Sequence, residues 1–140
     1  MEILYVHTNS VACIVEAKLF DCGEVYNYGS FSEIFFDGCC SRQRGVPVID
    51  RRGNLMNRQG EIYIEKGENS NGNICDVVKV FACFLIEGNE QLVDDILRGK
   101  IKNISYAFRV CEDDWFEIDS INPQRTIKRI RSIHQVQFVR

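Results

Sequence analysis

The sequence predicts an α+β fold: a small, curved, mostly antiparallel sheet or barrel with at least one helix packed on it. Three observations lead there. β-Branched and aromatic runs, broken by Gly, Asn and Asp, recur along most of the 140 residues. One segment, 89–98, instead carries apolar residues at helical spacing. The length suits one compact domain over residues 1–140, with no Pro- or Ser-rich linker and no internal repeat.

The elements follow in order. Residues 3–20 read as two short strands joined at Thr8-Asn9-Ser10. Residues 21–30 are turn-rich, and Phe31 to Phe36 forms another short strand. Residues 41–73, with five glycines, Pro47 and many Asn and Arg, read as a long loop or irregular hairpin in which Glu61-Ile62-Tyr63-Ile64-Glu65 alternates as a strand. Residues 76–86 are the most apolar run, and their β-branched start makes them a central strand buried on both faces. Asn89 is placed to cap a helix with Leu92, Val93, Ile96 and Leu97 on one face and acids 90, 94 and 95 on the other, and Gly99 stops it. With Phe81, Phe84 and Phe108, the residues Leu92 and Ile96 are expected to share one core.

In the strand predicted over 103–110, Ile104, Tyr106 and Phe108 alternate with Ser105, Ala107 and Arg109, so Ser105 faces away from the larger apolar set. Cys111-Glu112-Asp113-Asp114-Trp115 opens an acidic loop that reaches Asn122-Pro123. In the last segment, 125–140, Ile127, Ile130, Ile133 and Val136 recur every three residues, but the β-branched content favours strand.

Composition narrows the function. A hydrophobic fraction of 45% with 26% charged residues is that of an ordinary globular protein, and no run is long enough for a membrane span or shaped like a signal peptide. The net charge of −3 argues against a general nucleic-acid binder. The seven cysteines are odd in number, several lie in apolar runs, no Cys-x-x-Cys pair occurs, and neither histidine is near a cysteine pair in sequence. Buried reduced thiols are therefore expected, with no metal site and no cofactor.

The segment most suggestive of chemistry is Gly99-Lys100-Ile101-Lys102-Asn103-Ile104-Ser105-Tyr106-Ala107-Phe108-Arg109-Val110, where a helix hands one hydroxyl to an apolar strand. It resembles the nucleophile segment of the tailed-phage head-maturation (prohead) serine proteases, "G-L-S-I-G-F-x-V". Downstream, Arg125 to Val139 resembles that family's closing "R-x-I-x-x-I-x-L-x-E-V-S-L-V". The resemblance covers about Val77 to Val139. It implies a capsid-assembly setting, with Ser105 as candidate nucleophile and a phage capsid or scaffold protein as partner.

The departures from the family bear on activity. The segment Ser41-Arg42-Gln43-Arg44-Gly45-Val46-Pro47-Val48-Ile49 resembles the family's region of the catalytic histidine, but Arg42 stands about where the histidine would. An arginine stays protonated and cannot serve as base. Gln135 stands at the family's acid position. His134 is the remaining candidate base, since a hydrolytic serine needs one within reach. The resemblance thus implies a catalytically degenerate pseudoenzyme that binds phage protein in the host cytoplasm or virion. The alternatives are an active serine endopeptidase using Ser105, and a non-capsid phage protein binding a host factor.

Binding residues are sought among exposed aromatics and bases. Trp115, set among acids, and the basic residues Arg42 and Arg44 are the candidates, with homo-oligomer formation a further outcome. The segment Gly45 to Gly53 also resembles the "G-x-I-D-x-x-Y-R-G" loop of trimeric dUTPases, which would make Asp50 a substrate-binding residue of a nucleotide hydrolase. That family's tyrosine and its flanking motifs are missing.

Overall fold

In the computed structural model, residues 2–117 and 121–139 are described, with the side chains of all but 57 and 58. The chain orders as β1 (Glu2–Thr8), β2 (Ala12–Asp21), β3 (Val25–Asn27), β4 (Ser32–Phe35), β5 (Gln43–Ile49), β6 (Leu55–Glu68), β7 (Ile74–Leu85), α1 (Glu90–Leu97), β8 (Asn103–Phe116) and β9 (Gln124–Val139). These strands form one sheet in the order β3-β4-β9-β5-β6-β7-β2-β1-β8, and β8 pairs again with β9. That second pairing closes seven strands into a barrel, with the β3–β4 hairpin attached outside the ring. The expected α+β class is therefore overturned: the protein is nearly all β, and the one short helix among the described residues is an accessory to a closed barrel.

The barrel wall follows from alternation. Along β2, Cys13, Val15, Ala17 and Leu19 are all buried while the residues between them are partly exposed. β7 fits the same wall through Val78, Val80, Ala82 and Phe84. It is not buried on both faces as its composition suggested, because Phe81 points outward with 39% of its surface exposed. The expected shared core holds for Phe84, Leu92 and Ile96, with Phe108 packed against them, and excludes Phe81. Small residues set the spacing where strands cross: Gly60 pairs with Ala82, and a Cβ at Gly60 would stand 3.3 Å from Val48 and 3.4 Å from Val80.

Of the two alternatives for residues 41–73, the irregular hairpin is the one that forms, and the stretch expected as an acidic loop begins as strand. Residues 43–49 and 55–68 form the antiparallel hairpin β5–β6, and the acidic stretch from Cys111 to Trp115 continues β8, pairing with β9 as far as Phe116 and Gln124. The rest of that expected loop includes residues 118–120, which lie outside the described residues. Acids survive in this strand because β9 faces them with bases: Lys128 lies 2.6 Å from Asp114, and Arg125 lies 2.7 Å from Asp113.

β9 is the hub of the ring. One edge runs along β8, while the other pairs in parallel first with β4 and then with β5. Its register against β8 shifts four times: Lys128, Arg131 and His134 are skipped on β9, and Cys111 is skipped on β8 between the first two of these. Each bulge on β9 adds a residue between two interior positions, so Ile127, Ile130, Ile133 and Val136 all point inward at intervals of three.

α1 seats Leu92, Val93 and Ile96 in the common core. Asn89 precedes it without a side-chain cap, its amide instead donating to the Leu85 carbonyl at 2.9 Å. The helix ends as Gly99 predicts. With φ of 73°, Gly99 lets the Lys100 N–H reach the Asp95 carbonyl at 2.8 Å while its own N–H reaches Ile96 at 3.1 Å. Asp95 lies on the inner face of α1, not the outer, with its carboxylate 2.8 Å from Arg51 of the β5–β6 turn. This pair fastens the helix over one end of the barrel.

Candidate functional site

Ser105 sits on the outer face of β8, partly buried, directly opposite Gln137 of β9. The expected outward orientation of its side chain is what the barrel requires. The Gln137 amide donates to the Asp50 carbonyl at 3.1 Å, so the nearest cross-strand neighbour of Ser105 is a neutral group already engaged in holding the β5–β6 turn. His134 is exposed at its bulge, three residues along β9 from Gln137, which places it on the order of 10 Å from Ser105. That is outside hydrogen-bond reach. His7 is exposed on β1, its ring parallel to Tyr5 at 6.4 Å, and Lys100 and Lys102 are exposed before β8. The structure does not assemble a nucleophile and base around Ser105 among the described residues.

Trp115 is built into a site of a different kind. It stands on β8 opposite Arg125, whose guanidinium lies 5.7 Å from its ring centre, and Phe31 lies 5.7 Å away on the other element. Tyr28 extends the cluster, 5.1 Å from Phe31. Arg125 is itself held from below by Asp113 at 2.7 Å and by Glu33 at 3.5 Å. The indole is therefore fixed, yet 42% of its surface is open, and Tyr28 and Phe116 beside it on the chain are also exposed. β3–β4 carries the aromatic residues at 28 and 31, and only its pairing with β9 brings them to Trp115. Sequence alone marked the tryptophan but not its companions, because they are more than eighty residues away.

Glu33 lies beneath this cluster with 4% of its surface exposed. Burial holds its carboxyl above the ordinary glutamate value of 4.5, opposed by Arg125 and by a hydrogen bond from Tyr28. The folded chain thus binds this proton more tightly than the unfolded chain. Its contribution to stability is fully present below the unfolded value and is lost as pH rises through the higher folded value. Wild-type stability, measured by urea titration, should therefore contain a component that increases as pH is lowered from neutrality towards 4.5, and Glu33→Gln should remove that component.

Arg42 and Arg44 are exposed at the start of β5. Arg44 stands 4.0 Å from Glu61 at the surface, a contact of little energetic weight. Arg42 lines two shallow clefts: one of about 510 Å³ with Glu61, Tyr63, Ile64 and Phe81, the other of about 320 Å³ with Gln43, Ile130 and Arg131. Gln43 pairs with Ile133, eight residues along β9 from Arg125, so these arginines stand roughly 25 Å from Trp115 and do not form one site with it. Asp50 of the dUTPase-like loop accepts the N–H groups of Arg52 and Asn54 at 2.9 Å each, and its carboxylate closes its own turn.

One metal-competent cluster exists among the described residues. Cys22, Asp37 and Asp76, from the ends of three different segments, bring a sulfur and two carboxylate oxygens within 4.8 Å of one another. All seven cysteines are thiols. No helix among the described residues is long and apolar enough to cross a membrane. Comparison with family models, curated proteins and solved structures gave no match.

Proposed function

We propose that this chain is a binding protein of phage or prophage head assembly, a catalytically silent relative of the head-maturation proteases that docks a capsid or scaffold protein through the Trp115 cluster. The observation that carries the binding role is the fixed but open indole, ordered by Arg125 and Phe31. An aromatic side chain immobilised before binding loses little further conformational freedom when a partner covers it, and such residues dominate interface energetics. The capsid setting rests on the sequence resemblance from Val77 to Val139. The silence of Ser105 rests on the amide that faces it and the distance of His134.

The test combines two variants. Mixing the purified chain with candidate coat or scaffold protein should give a complex without cleavage. Trp115→Ala should weaken that complex by about 2 kcal/mol, roughly 30-fold in Kd by titration calorimetry. Ser105→Ala should leave both the complex and the fold intact, with a stability change of at most about 1 kcal/mol. Cleavage of the partner that disappears in Ser105→Ala would overturn the binding role in favour of proteolysis. Undiminished binding by Trp115→Ala would remove the proposed interface.

A further inference from the structure

β9 loses its parallel neighbour for part of its length. It pairs with β4 over residues 124–127 and with β5 only at Val136 and Gln137, and between these two ladders the chain lies along its edge as residues 36–43. Three contacts fix that crossing. The Phe36 N–H donates to the Ile127 carbonyl at 2.9 Å, and the Ile130 N–H donates to the Cys39 carbonyl at 2.7 Å. The Gln43 side chain then both donates to the Ile133 carbonyl at 2.7 Å and accepts from the Ile133 N–H at 2.9 Å. Between the last two contacts lies the cleft of about 320 Å³, with Cys40, Ser41 and Arg42 on one side and Arg131 and Ser132 on the other.

The lining carries charge of one sign. Arg42 and Arg131 bring two guanidiniums, Ser41 and Ser132 bring two hydroxyls, and no carboxylate lines the cleft. Cys40 adds no negative charge, because burial pushes its thiol up to about 11. Neither arginine has an ion pair among the described residues, whereas Arg125 and Lys128 on the same strand are each held by a carboxylate. Glu61, which shares the neighbouring cleft with Arg42, stands 4.0 Å from Arg44. Arg109, exposed on β8 directly opposite Ser132, places a third arginine beside the cleft. In a chain of net charge −3, this group sets up a local field of the opposite sign.

We infer that this cleft binds a phosphate dianion, free or as a monoester, between Arg42 and Arg131. A guanidinium presents its N–H groups as a fork that matches two phosphate oxygens, and two such forks with two hydroxyls suit a group with three terminal oxygens and about two charges. A carboxylate has one charge and two oxygens to offer the same donors. A phosphodiester likewise has one charge and two terminal oxygens, and satisfies the set less well. The cleft holds the group without breaking its ester bond, since its one thiol is protonated and no carboxylate or imidazole lines it. It is remote from Trp115 and independent of the binding role proposed there.

The full chain is titrated by calorimetry with inorganic phosphate, O-phosphoserine and dimethyl phosphate, at about pH 8, where the monoester is a dianion, and at constant ionic strength in chloride. Inorganic phosphate and O-phosphoserine should bind at one equivalent with Kd below about 1 mM, and dimethyl phosphate at least tenfold more weakly. Whichever of the first two binds tighter identifies the source, free or esterified. Arg42→Gln and Arg131→Gln should each weaken binding at least tenfold and keep the wild-type melting curve, because both side chains are exposed. Arg129→Gln, at an exposed residue of β9 outside the cleft, should bind as the wild type does. Absence of saturable binding by the wild type would overturn the site. So would equal affinity for dimethyl phosphate, or a loss in Arg129→Gln as large as in the two cleft variants.

Discussion

Phe35→Ala should lower the free energy of unfolding by about 3–5 kcal/mol, the largest loss expected from any single truncation here. Phe35 is completely buried, its ring 3.9 Å from that of Phe20, with Phe108 and Tyr26 around it at 5.8 and 6.2 Å. It is also the residue at which β4 meets β9, opposite Ile127. Removing the ring therefore opens a cavity where the outer hairpin joins the barrel. Against a total stability of about 5–15 kcal/mol for a domain, such a loss shifts the urea midpoint strongly. A shift no larger than that of Ser105→Ala would mean that the β3–β4 hairpin is not part of the cooperative core.

The second large effect is expected at Arg51. Its guanidinium lies 2.8 Å from Asp95 Oδ2, off the line of a hydrogen bond, and the Asp95 side chain is 2% exposed. The other oxygen accepts from Gln91 at 2.9 Å. Arg51→Ala would leave that carboxylate enclosed and without its counter-ion, at a cost of about 3 kcal/mol. This is the low end for a broken buried pair, because Arg51 is itself partly exposed. Adding Asp95→Asn in the Arg51→Ala background should recover part of the loss, since the stranded charge is then gone. If the double variant is as unstable as the sum of the two singles, the pair does not fasten α1.

How much of this was legible in the sequence depended on how local the cause was. Gly99 was readable because one residue with positive φ is enough to end a helix, and β2 was readable because strict alternation needs no partner. The period of three in Ile127, Ile130, Ile133 and Val136 misled in a specific way. It looks helical, yet it arises from bulges at Lys128, Arg131 and His134, each defined by the register of β8 and absent from any local pattern. The acidic run at 112–114 resembled a loop for the same reason, since the bases that neutralise it come from β9. Closure of the barrel, which overturned the α+β class, is a property of the β8–β9 pairing and has no signature within either strand.

The site divided along the same line. Trp115 stood out as an aromatic among acids, whereas Tyr28, Phe31 and Arg125 were unremarkable until the sheet brought them to it. Ser105 and His134 were nominated by a linear motif, and the register separates them. Cys22, Asp37 and Asp76 follow no spacing that resembles a ligand pattern, because three separate segments of the chain bring them together.

The ring of seven strands has one thin link. β8 pairs with β9 along its whole length, but its register with β1 is the single pair Glu2 and Asn103, supported by the Ile3 N–H bonded to the Lys102 carbonyl at 2.9 Å. Mechanically the barrel is a split cylinder, sewn at one stitch. Amides of β8 directed towards β9 are locked into a ladder, while those directed towards β1 beyond Asn103 have no ladder partner among the described residues. Deuterium should therefore enter β8 at every second amide, with protection interrupted at the bulges, and not uniformly from one end. A strand half protected in this way is also an unpaired edge, and the same edge leads to Trp115 and Phe116. A partner seated on the indole could then continue along it as an added strand, converting the split in the cylinder into a seam shared by two proteins.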